Sequence, residues 1–174
     1  MSRLRRWRAL VRKREPKLAT VDAQSVKNTD TAREKGYGAG KKVSGIKRHI
    51  AVDTNGLLHA ISVTAASVTD RDGAVEMTKR HKENLSAVEK LLVDGNYSGE
   101  KFEKEIKKII HATVEVAKRS ELHTFKVIPK RWVVERSFAW LEKHRRLWKN
   151  CERKLETSRQ MAILAFISLL LRRR

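Results

Sequence analysis

Two β-prone runs, Ile46–Asp53 and Leu57–Thr64, are separated only by Thr54-Asn55-Gly56, and this pattern constrains the fold more than any other stretch. Asn and Gly both accept the positive φ of a tight turn, so Asn55-Gly56 predicts a β-hairpin with Asp53 as a turn residue beside it. A lone hairpin is marginal in water, so further strands or a helix must cover its apolar face. The flanking sequence supplies them. Leu18–Val26 is a short β-prone run with Asp22 at its centre, followed by polar Lys27–Lys35 and a loop at Gly36, Gly38 and Gly40. Those glycines match no phosphate-cradling motif. Asp70-Arg71-Asp72 reads as the N-cap and first turn of a helix running to about Arg80. Val88–Asp94 predicts a strand, Gly95 a turn, and the segment from near Ser98 to about Ile110 a helix. His111–Ala117 predicts another strand, and Pro129 marks the start of a later helix. The fold class expected is α/β, a mixed sheet flanked by helices with a helical C-terminus.

At 174 residues and 40% hydrophobic content the chain can bury one sizeable core. Its formal net charge of +20 and sequence pI of about 10.6 exceed what solubility requires and point to a polyanion, nucleic acid first. An anionic membrane would call for a basic amphipathic anchor or a lipidated cysteine, and no cysteine lies at either end. The apolar run Met161–Leu171 is too short to span a bilayer and is closed by Arg172, Arg173 and Arg174, so it reads as a core helix. The single Cys151 excludes an internal disulfide framework and a multi-cysteine zinc site. Residues 1–18 form a basic arm or the end of a truncated helix, interrupted by arginine too often for a signal peptide, so a cytoplasmic location is expected.

Residues 130–147 combine helical apolar spacing, at Val133, Ser137, Trp140, Leu141, His144 and Trp148, with dense positive charge and one carboxylate, Glu135. Trp132, Trp140 and Trp148 recur every eight residues, a spacing that favours core positions. Taken singly, Glu135 reads as half of an Arg-Glu pair, Asp22 as an acceptor for turn amides, and Asp94 as either structural or functional. Taken together, a strand aspartate, a strand-end aspartate and a helix glutamate fit one site, because a mixed sheet can bring strand ends and a crossing helix together. Carboxylates that converge in a basic protein need cations, and hard oxygen donors suit Mg²⁺ or Mn²⁺.

The segments Val21–Lys27, 36–50, Val52–Leu58, Thr69–Ala74, Asp94–Tyr97 and Arg131–Leu141 stand in an order and spacing that resemble the insertion-sequence five family of bacterial DDE transposases. The resemblance runs from about residue 19 to the C-terminus. It implies a ribonuclease H-like catalytic domain over 19–174, with Asp22, Asp94 and Glu135 as the DDE triad holding two Mg²⁺ ions, Mn²⁺ being the alternative. The implied activity is metal-dependent cleavage at the ends of an insertion sequence in double-stranded DNA, followed by strand transfer into target DNA by a homodimer near the bacterial nucleoid. It also implies that Arg131 and Lys143 lie against the transposon end, within a phosphate-binding set of Lys130, Arg131, Arg136, Lys143, Arg145 and Arg146. Two positions depart from the family: its tyrosine falls on Ile128, and its lysine after the glutamate falls on Glu142. Only about twenty residues precede Asp22, so an upstream DNA-binding polypeptide is expected as a partner. The alternative from another class is a non-catalytic DNA-binding remnant, or an incomplete half.

Overall fold

A computed structural model describes residues 16–117 and 132–172. The basic arm expected over 1–18 lies almost wholly outside these residues. The chain forms β1 (Leu18–Lys27), β2 (Gly36–Gly38), β3 (Val43–Asp53), β4 (Leu58–Ala65), α1 (Asp70–Arg80), β5 (Lys90–Asp94), α2 (Glu100–Ile110), β6 (Thr113–Ala117), α3 (Trp132–Glu142) and α4 (Leu155–Arg172). The strands make one mixed sheet in the order β2-β3-β1-β5-β6, with β4 sharing the edge of β3 that β2 occupies. β1, β3 and β4 are antiparallel neighbours, whereas β5 and β6 continue the sheet parallel to β1.

Strand alternation sorts the apolar residues onto two faces. Ala19, Val21, Ala51, Leu91 and Val93 pack beneath α1 and α2, where Met77, Phe102, Ile106 and Ile110 complete one core. The last three recur at four-residue steps and give α2 its buried stripe. Ile50, Val52 and Ile61 face the other way, against Val133, Val134, Phe138 and Leu141 of α3 and Ala162, Ala165 and Phe166 of α4.

Several sequence expectations change in detail. In the hairpin, Gly56 N donates to Asp53 O and Asp53 N to Leu57 O, both at 3.0 Å, and Gly56 alone takes a positive φ, +81°. This is a three-residue loop with one left-handed glycine, not a two-residue Asn-Gly turn. Asp53 is the turn residue expected: its Oδ1 accepts the amides of Asn55 and Leu57 at 2.8 and 2.9 Å. The Gly36–Gly40 loop contains a short strand, because Gly36–Gly38 pair with Val43–Gly45 of β3, and Gly36 runs so close to Ser67 that a Cβ there would collide. Thr69, rather than Asp70, caps α1, accepting the amide of Asp72 at 3.1 Å.

The largest departure is at α3, which stops at Glu142 instead of continuing to 147. His144 N returns to Leu141 O and Leu147 N to His144 O, and Asn150 N then pairs with Lys27 O at the end of β1. Pairing with the sheet competes with helix continuation, so His144 and Trp148 never join the helical face. Trp132 and Trp148 are 50% and 63% exposed, contrary to the core role that their spacing suggests. α4 is likewise only partly a core helix, since Leu164, Ile167 and Leu171 face outward.

Candidate active site

β1 and β5 place the two aspartates. Leu18, Ala19 and Thr20 pair with Lys90, Leu91 and Leu92, a constant offset of 72 residues. This ladder ends at Thr20 and Leu92, two residues before Asp22 and Asp94; beyond it Asp22 pairs with Ile50 of β3 and Asp94 with Ala117 of β6. Asp22 stands opposite Ile50, which belongs to the core under α3. Leu91 and Val93 point into the other core, so Leu92 and Asp94 share the α3 face with Asp22. Each carboxylate is oriented locally: Asp22 Oδ1 accepts Ala23 N at 2.7 Å, and Asp94 Oδ1 accepts Gly95 N at 2.6 Å. At Asp94 the sheet ends and a 3₁₀ turn, Gly95–Tyr97, begins, with Asp94 as its cap.

Glu135 is exposed on α3. Helical geometry places it two turns from Glu142 on the same flank, and Glu142 Oε1 accepts a hydrogen bond from Gln24 Nε2 of β1 at 2.7 Å. That flank therefore faces the strand that carries Asp22. The opposite flank meets the hairpin, where Arg136 Nη2 donates to Asn55 O at 3.2 Å. The structure thus places Asp22 and Asp94 on adjacent strands, on the sheet face against which α3, the helix of Glu135, packs. Among the described residues, no three His, Cys, Asp or Glu side chains close into a cluster able to hold one metal ion. The donor set still suits Mg²⁺, which takes one or two carboxylates and completes its octahedron with water and substrate phosphates.

Tyr97, three residues after Asp94, belongs to the core under α1 and α2. It is 1% exposed and stacks at a tilt on Phe102, with ring centroids 5.7 Å apart. Burial, and then the negative charges of Asp22, Asp70 and Asp94, push its phenol above the usual range, so it stays protonated. Asp70 is held by Lys47 Nζ at 2.8 Å.

Of the cations expected on phosphates, Lys143 and Arg145 are exposed just beyond α3, and Arg146 pairs with Glu152 at 2.8 Å. Arg136 is instead sandwiched between Trp132 and Trp140, 4.4 and 4.6 Å from the ring centres. Lys130 and Arg131, together with Ile128, lie outside the described residues. Glu142, where the family resemblance expects a lysine, is the residue that grips β1. No helix among the described residues is long and apolar enough to cross a membrane.

Two solved structures share the fold. The catalytic core domain of BIV integrase superposes with a TM-score of 0.56 at 13% identity, over 91% of this chain and 86% of that one. A chain of a simian T-cell lymphotropic virus intasome in complex with a PP2A regulatory subunit gives 0.56 at 14%, over 88% of this chain and 48% of that one. At such identities the likeness is one of fold, the ribonuclease H-like mixed sheet flanked by helices. A comparison with curated proteins returns no match. The sequence profile of the transposase DDE domain matches residues 13–171, nearly the whole chain, so the chain belongs to the transposase DDE domain family, a family of DDE-type enzymes acting on DNA.

Proposed function

We propose that this chain cleaves phosphodiester bonds at the ends of a bacterial insertion sequence, of the insertion-sequence five type, and joins the freed 3′-hydroxyl to target DNA. The observation that supports this reading is the parallel pairing of β1 with β5, the two strands that carry Asp22 and Asp94. Asp22 and Asp94 hold a divalent ion, Mg²⁺ or Mn²⁺, and Glu135 contributes from α3 to a second. When bound, such ions stabilise charge on the attacking and leaving oxygens of an in-line displacement. Lys130, Arg131, Lys143, Arg145 and Arg146 anchor DNA phosphates. The active form is a homodimer holding two DNA ends, assisted by an upstream DNA-binding polypeptide.

One observation favours a second reading, a non-catalytic DNA-binding remnant: no three metal-binding side chains cluster among the described residues. Labelled linear DNA bearing the element's end, incubated with Mg²⁺ at low salt, separates the two. Cleavage by the wild type that disappears in Asp94→Ala, while DNA binding persists, is the expected result. Equal cleavage by both proteins sinks the assignment of Asp94, and binding without cleavage by either favours the remnant.

A further inference from the structure

Arg48 is fully buried, an unusual place for a guanidinium. Its Nη1 donates to Leu147 O at 2.8 Å, in the turn just after α3, while Nε and Nη2 are buried and find no acceptor among the described residues. In strand register Arg48 lies directly opposite Gln24, on the same face of the sheet. Gln24 in turn donates to Glu142, the last residue of α3. Burial pulls Arg48 down to about 10, and the negative charge of Glu142 acts in the opposite direction, so carboxylate and guanidinium lie within electrostatic reach.

These contacts join the two halves of the site. Gln24 is two residues beyond Asp22 on the same face of β1. Glu142 is two turns beyond Glu135 on the same flank of α3. The apolar packing of α3 is non-directional and leaves a helix room to roll and slide. The polar contacts at its C-terminal end are directional and fix both its roll and its position along the axis. Resting on the assignment of Glu135 above, we propose that Gln24, Arg48 and Glu142 form a positioning bracket that sets the reach of Glu135 toward Asp22 and Asp94. None of the three touches the reacting atoms. Arg48 braces the turn at Leu147, and Glu142 transmits that brace to β1.

Binding of Mn²⁺ to the full chain without DNA, followed by the electron paramagnetic resonance signal of the free ion, tests the bracket independently of turnover. Glu142 is exposed, so Glu142→Ala is expected to keep the wild-type unfolding midpoint. It should weaken Mn²⁺ binding about tenfold, the low end of what residues supporting a metal ligand contribute. Glu142→Gln restores an acceptor for Gln24 and should recover binding to within about twofold. Arg48→Met, which keeps an unbranched stem but removes the donors, should weaken binding similarly in whatever fraction of it folds. Wild-type Mn²⁺ affinity in Glu142→Ala alongside weakened binding in Glu135→Ala overturns the bracket and leaves the carboxylate assignment standing. Unchanged affinity in Glu135→Ala overturns that assignment and the bracket with it.

Discussion

Gly73→Ala sets two effects of opposite sign against each other inside α1. Alanine at a helix interior is favoured over glycine by about 1 kcal/mol, so on propensity alone the change is stabilising. The structure decides otherwise. A Cβ on Gly73 would lie 2.2 Å from Cε1, 2.3 Å from Nε2 and 2.8 Å from Nδ1 of the His49 ring. His49 is fully buried and held by a 2.9 Å hydrogen bond between Nε2 and Thr64 Oγ1. Relieving the overlap takes a shift of about 1 Å in a close-packed interior, a cost of roughly 1–3 kcal/mol. If the ring moves off Thr64, a buried polar pair is broken for about 1–3 kcal/mol more. The net expectation is a loss of about 3 kcal/mol, read as a lower urea midpoint at unchanged m-value. In a His49→Ala background the overlap is gone, and the same Gly73→Ala change should stabilise by up to about 1 kcal/mol. A neutral or stabilising effect in the wild-type background would refute the reasoning, because it would mean that α1 backs away from β3 freely.

Two further outcomes follow from the same packing. Burial first, with Lys47 adding to it and Asp70 opposing, pulls His49 down to about 4 from 6.5, so its folded form resists protonation. Its contribution to stability is therefore whole above pH 6.5 and is lost as pH falls toward 4, to a total of about 3 kcal/mol; urea unfolding across that window should show the slope, and His49→Gln should flatten it, whereas parallel slopes contradict the assignment. Arg136, stacked between two tryptophans and bonded to Asn55 O, is predicted to act on the fold and not on DNA: Arg136→Ala should cost about 1–2 kcal/mol without changing the salt dependence of DNA binding, whereas Lys143→Ala with Arg145→Ala should lower that log-log slope by about 2, and a drop in slope for Arg136→Ala alone would reverse the roles.

The elements of the sheet were legible because their signals are local. Alternation, a turn dipeptide and an aspartate-rich helix start each occupy a few residues, and β1, β3, β4, α1 and α2 fall close to where those signals place them. What a single sequence hides is pairing over distance. Nothing near Asp22 announces that its strand pairs with one 72 residues further on, and only the β1–β5 ladder does so. Lys47-Arg48-His49 shows the same limit. As letters it is a polar patch inside a strand, yet alternation sends Lys47 and His49 toward α1, to Asp70 and Thr64, and Arg48 through the sheet to Leu147. The overrun of α3 has a similar cause: the helical spacing of His144 and Trp148 is real, but pairing of Asn150 with the end of β1 outweighs it.

The two aspartates and the glutamate are therefore placed with unequal rigidity. Asp22 is set by the ladder of β1 with β3 and Asp94 by that of β5 with β6, where a shift of register would turn every side chain to the wrong face. Glu135 rides on a helix whose apolar face tolerates rotation. With side-chain tips about 6 Å from the axis, a roll of roughly 20° carries its carboxylate about 2 Å, a full metal–oxygen bond length for Mg²⁺. Two polar contacts oppose that roll from opposite flanks: Arg136 on the hairpin at Asn55 O and Glu142 on β1 at Gln24. Loosening either leaves a single contact to oppose the roll, so on the proposed assignment of Glu135 its reach depends on residues that themselves take no part in the chemistry.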